Sequence, residues 1–167
     1  MTLRATAALA VCAAAGCQYD PHTAVYTRSR PDPAEVAGVY RPDAATRELV
    51  ARDGGYGAGD AVITLARDGA FEVVRLPDWW RTDFGRPGGG LDAGRGTWRV
   101  ERHQEWWIVA AHFESTAGFA PPGGGDGGFA ATFMLAGEAP PYRLLLTIGD
   151  PDEGRAMQLV RDPRRGD

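Results

Sequence analysis

Three carboxylates stand together in Asp150-Pro151-Asp152-Glu153, and oxygen ligands gathered in one turn are what a hard cation such as calcium requires. The ligand spacing of an EF-hand loop is absent, and nothing adjacent adds donors. Asp150, Pro151, Asp152 and Gly154 therefore read as a structural turn in solvent, with no metal. His22, His103 and His112 have no metal-ligand spacing between them, and both cysteines lie near the N-terminus, so no thiolate completes a zinc site. A nucleophile is equally hard to find. Ser115 is the one serine beyond Ser29, and no G-x-S-x-G surrounds it. The runs Gly85-Arg86-Pro87-Gly88-Gly89-Gly90 and Gly123-Gly124-Gly125-Asp126-Gly127-Gly128 are glycine-rich enough for a phosphate loop. Neither leads a strand into a helix or ends in Lys-Ser/Thr, so both read as loops. The expectation is a protein with no catalytic residues and no cofactor, and not an enzyme.

One constellation does suggest recognition. Trp79, Trp80 and Phe84 stand among Asp78, Arg81 and Asp83 in the long segment Pro77–Gly94. Aromatic groups beside charges make a binding patch or the mouth of a barrel. The competing reading is that the tryptophans fold back to plug the interior.

The elements that must position this loop are strands. In Pro140–Arg161, Tyr142, Leu144, Leu146 and Ile148 alternate with Arg143, Leu145 and Thr147, the period of a strand. Asp-Pro-Asp-Glu-Gly stops it, with Gly154 expected at positive φ. Setting Gly149 against Gly154 places Leu146 opposite Met157 and Leu144 opposite Leu159, and one buried face selects that register. The same reading gives strands over Val36–Arg41, Ala61–Ala66, Ala70–Leu76, Gly96–Glu101, Glu105–Phe113 and Phe129–Ala136. Asp68-Gly69 and Arg102-His103-Gln104 turn two of the hairpins. Glu105–Phe113 is apolar on both faces, so it is expected to be central or covered from outside. Asp43 caps a short helix, Ala44–Arg52, whose Ala45 and Leu49 share the face expected to lie on the sheet. The segments Pro77–Gly94 and Glu114–Gly128 read as loops.

Eight short strands joined mainly in sequence, with one helix near the start, are expected to be all-β and mainly antiparallel. An up-and-down barrel removes both edges, and a β-sandwich is the alternative. A barrel of that size holds packed side chains or one small ligand. The formal charge of −4 over 167 residues argues against a nucleic-acid partner. Every basic side chain is arginine, in keeping with the Ala/Gly/Pro/Arg-rich composition.

The N-terminus has an address of its own. Arg4, the apolar run Ala5–Ala15 and then Ala14-Ala15-Gly16-Cys17 form a charged, apolar and small-residue series too short to span a bilayer. It resembles the lipobox leader of bacterial lipoproteins, with Ala14 where leucine is usual. The resemblance implies lipidation at Cys17, and export to the cell envelope with a lipid anchor as membrane partner. A cytoplasmic protein with an Ala-rich start is the alternative. The expected organisation is a leader over 1–17, a Pro-rich extended tether over 18–34, the β domain over 35–162 and a disordered tail over 163–167.

Gly96-Thr97-Trp98, Pro77-Asp78-Trp79-Trp80, and Pro140-Pro141-Tyr142 with Ile148-Gly149-Asp150-Pro151-Asp152 resemble a family of uncharacterised bacterial envelope lipoproteins with a lipocalin-like, calycin-like β domain. The resemblance implies a fold and an envelope address, and no activity. The expected function is that of a protein-interaction module, with an inhibitory, immunity or envelope-assembly role. The alternative is a carrier of a small apolar ligand inside the barrel.

Overall fold

The computed structural model describes residues 20–52, 61–78, 90–117 and 129–165. Among them, eight antiparallel strands follow one another around a closed barrel. They are β1 (Gly38–Pro42), β2 (Val62–Leu65), β3 (Ala70–Pro77), β4 (Leu91–His103), β5 (Trp106–Ala117), β6 (Phe129–Ala136), β7 (Arg143–Thr147) and β8 (Ala156–Arg161). Each pairs with the next, and β8 closes on β1 through Arg41↔Val160. The fold is the expected lipocalin-like, up-and-down barrel rather than a sandwich. Two short helices accompany it, α1 (Pro33–Val36) and α2 (Ala44–Arg52).

Alternation decides what faces inward. Tyr40, Ile63, Leu65, Phe71, Val73 and Phe133 are buried in one core cluster with residues of every other strand. The aromatic rings meet across it: Phe71 stands edge-on to Phe113 at 4.9 Å and tilts against Phe133 at 6.1 Å. In β7 and β8 the register is Leu144↔Leu159 and Leu146↔Met157, as the alternation predicts.

Several boundaries differ from the expectation. Val36 ends α1 instead of opening β1, because Asp32 caps that turn by accepting from Ala34 N at 2.9 Å and Pro33 presets its first residue. The fully buried Tyr40 then donates to Val36 O at 2.6 Å, and burial pushes its hydroxyl up to about 12. In α2, Asp43 is the cap and accepts from Thr46 N at 2.8 Å. The buried face is Thr46 and Val50; Leu49 packs half-buried against the core as expected, whereas Ala45 is exposed. Thr46 Oγ1 both donates to Gln158 O and accepts from Gln158 N, which rotates that face onto β8. The β4–β5 hairpin turns on Gln104 and Glu105, with His103 paired to Trp106.

Both loops flanking that hairpin are shorter than expected, since β4 starts at Leu91 and β5 runs to Ala117. The extension needs glycine. A Cβ on Gly96 would stand 1.8 Å from His112 O, where the β4–β5 register shifts between Arg95 and Gly96.

The stretch read as a tether is part of the fold from residue 20 onward. The 3-10 turn Pro21–Val25 leads to Tyr26, which bridges Ala136. Thr27 N donates to Leu135 O, and Thr27 O accepts from Trp107 N, both at 2.9 Å. Tyr26, 5% exposed, covers Ala136 and Leu145 on the outer wall, with Trp106 packed beside them. That is the physical reason β5 opens apolar on both faces: Val109, Ala111 and Phe113 face the core, and the strap covers Trp106 on the other side.

Candidate functional site

Strand order sorts the connections onto two rims. One carries the tight turns Arg67–Gly69 and Gln104–Glu105, the β6–β7 turn and the start of β1 with α1. Trp98 secures that end, donating from its ring to Ala66 O and from its backbone to Gly69 O, both at 2.8 Å. The other rim carries α2, the β7–β8 turn and the chain ends that lead into segments 53–60, 79–89 and 118–128. Long connections on a rigid scaffold are where binding residues concentrate.

The neck of segment 79–89 is built tightly. Val73 and Leu76 flank a register shift in β3, with Arg75 at φ +57°, and the shift leaves Leu76 fully buried opposite Asp92. Asp78 N donates to Gly90 O, and Asp78 Oδ2 accepts from Gly90 N, both at 3.1 Å. Asp78 is 4% exposed and Asp92 is fully buried. A carboxylate withdrawn from water needs compensating contacts, and Asp78 makes its own across the neck to Gly90, while Asp92 is paired with Leu76 in the sheet. Asp92 was not singled out in the sequence. Its one signal is that, with Asp78, it brackets the aromatic loop.

A groove of about 360 Å³ lies on the same rim between the strap, α2 and the β7–β8 hairpin, lined by His22, Asp43, Leu49, Arg52 and Arg155. Its central polar groups are occupied with one another. Asp43 accepts from Thr46 N and, at 2.8 Å, from Gln158 Nε2, while Gln158 Oε1 accepts from Arg143 at 3.2 Å. His22 Nε2 donates to Gly154 O at 3.1 Å. The network locks α2 and the strap to β8, and it sets no base beside a nucleophile.

The turn residues Asp150, Pro151, Asp152 and Gly154 sit on this rim. Asp150 accepts from Asp152 N at 3.0 Å, and Gly154 closes the turn at φ +65°. Among the described residues, no group of three or more His, Cys, Asp or Glu side chains is placed to hold a metal. His103 lies at the opposite end and His112 on the barrel wall, paired with Thr97 and Ala130. Cys17 and the residues expected to form a recognition patch, Trp79, Trp80, Arg81, Asp83 and Phe84, lie outside the described residues. No family model, no curated protein and no solved structure matches the chain.

Proposed function

We propose that the chain is an envelope lipoprotein, anchored through Cys17, that acts without catalysis by presenting its long-loop rim to a protein partner. The observation that supports this reading is the interior. Large side chains from facing strands, Tyr40, Phe71, Phe113, Phe133 and Met157, are buried against one another inside the barrel. A barrel packed with its own side chains serves as a scaffold, and its recognition then falls to the rim. The bracketed loop carrying Trp79, Trp80, Arg81, Asp83 and Phe84 has the composition of an interaction hot spot.

The test pairs two measurements on protein purified from membranes. Alanine changes at Trp79 and Trp80 are expected to separate. One lowers the melting temperature, and the other leaves folding intact but weakens partner binding by about 2 kcal/mol or more. Native mass spectrometry is expected to show the chain without a small apolar passenger. A bound lipid-sized mass, with both tryptophan changes only destabilising, replaces this reading with that of a carrier.

A further inference from the structure

We infer that the barrel stands on the membrane with its long-loop rim against the bilayer, so that the rim is a lipid-facing surface. The inference rests on the acylation of Cys17 proposed above, and follows from where the chain leaves the described fold. Asp20 is held there by its carboxylate, which accepts from His22 N at 2.8 Å and from the Tyr26 hydroxyl at 2.7 Å. Pro21 lies over the β7–β8 turn, its Cγ 3.0 Å from where a Cβ on Gly154 would stand. His22 donates to the carbonyl of the same Gly154. These contacts fix Asp20 on the long-loop rim.

Only Gln18 and Tyr19 separate Asp20 from Cys17, and three residue steps reach about 11 Å at most. An acylated Cys17 lies at headgroup level, which brings the β7–β8 turn within roughly that distance of the membrane. No slack is available from the strap. Val25 O accepts from Gly137 N at 2.9 Å, and the Thr27 bonds to Leu135 and Trp107 pin it again at the far end of the barrel. The opposite rim then stands roughly 20 Å farther out, at about 3.3 Å of rise per strand residue. Asp78, just past the end of β3 on the near rim, is followed in sequence by Trp79 and Trp80, and tryptophan is the side chain suited to headgroup level. A protein that docks on this rim must therefore itself sit at the membrane.

The experiment places a single cysteine on each rim, at the exposed positions Glu153 and Glu138. Once Cys17 is acylated and the leader removed, Glu153→Cys or Glu138→Cys carries the one free thiol. Each acylated variant is labelled with a fluorophore and reconstituted in phosphatidylethanolamine/phosphatidylglycerol vesicles containing a headgroup-nitroxide lipid. The label at 153 is expected to lose most of its emission, while the label at 138 keeps most of it. Equal or reversed quenching, with the acyl mass intact by mass spectrometry, overturns the orientation alone. A purified chain without acyl mass overturns the anchor, and this inference with it.

Discussion

At Gly154 a side chain meets two obstacles: the backbone is at φ +65°, and the Pro21 ring lies against the space a Cβ would fill. Gly154→Val is expected to cost about 1–2 kcal/mol from the backbone alone. The exposed Asp152→Ala is expected to cost much less in the same urea titration. Equal losses, or calcium-dependent melting of the wild type, would overturn the solvated-turn reading. Tyr40 gives the pH prediction. Its hydroxyl, held by burial near 12, titrates near 10 in the unfolded chain. A raised folded value means that its contribution is complete below pH ~10 and is lost as pH rises through about 12. The loss amounts to roughly 2–3 kcal/mol. Burial, with Asp20 beside it, also raises the Tyr26 hydroxyl, which adds to the alkaline slope. Tyr40→Phe is expected to flatten part of that slope, while losing the bond to Val36 costs about 1 kcal/mol at neutral pH. Urea melts at neutral pH and near pH 11 compare the two.

Among the elements, the strap carries the largest consequence. Tyr26 meets Trp106 edge-on at 5.6 Å and seals Leu145 and Ala136 on the outer wall. Tyr26→Ala is expected to destabilise by about 3 kcal/mol, as truncation of a buried aromatic does. It should also open the chain to trypsin at Arg28 before the barrel unfolds, and limited proteolysis with mass analysis reads this out. Loss of stability without earlier cleavage would mean that strap and barrel unfold together. The residues that form the strap, Asp20–Arg30, are polar and Pro-bounded, with little periodicity. Their partners lie far along the chain, Tyr26 at Ala136 and Thr27 at Leu135 and Trp107, so local composition reads as linker. The signal that was legible is its complement, the second apolar face of β5.

At the scale of the whole molecule, the proposed address rests on Cys17, whereas the barrel strands begin at Gly38. Cys17→Ala is expected to move the protein from the membrane fraction to the soluble fraction or leave it unprocessed, with the barrel intact by circular dichroism. Wild-type anchoring should withstand a salt wash, since more than one acyl chain holds firmly. Unchanged fractionation of the variant would refute the lipoprotein address.

Strand alternation by itself determined that the chain is a β meander, and which residues of β7 and β8 meet. Leu144↔Leu159 and Leu146↔Met157 are the pairings that bury one face, and a slip of one residue turns that face outward. The Asp43 cap and the turn at Gly154 were likewise legible, because each depends on a few adjacent residues. Closure of β8 on β1, the strap, and the sorting of connections onto two rims were decided by tertiary structure. So was the strand character of Leu91–Gly94, whose sequence lacks alternation and which is extended because β3 and β5 pair with it. Alternation is a property of one segment, whereas pairing belongs to two segments that the chain brings together only by folding.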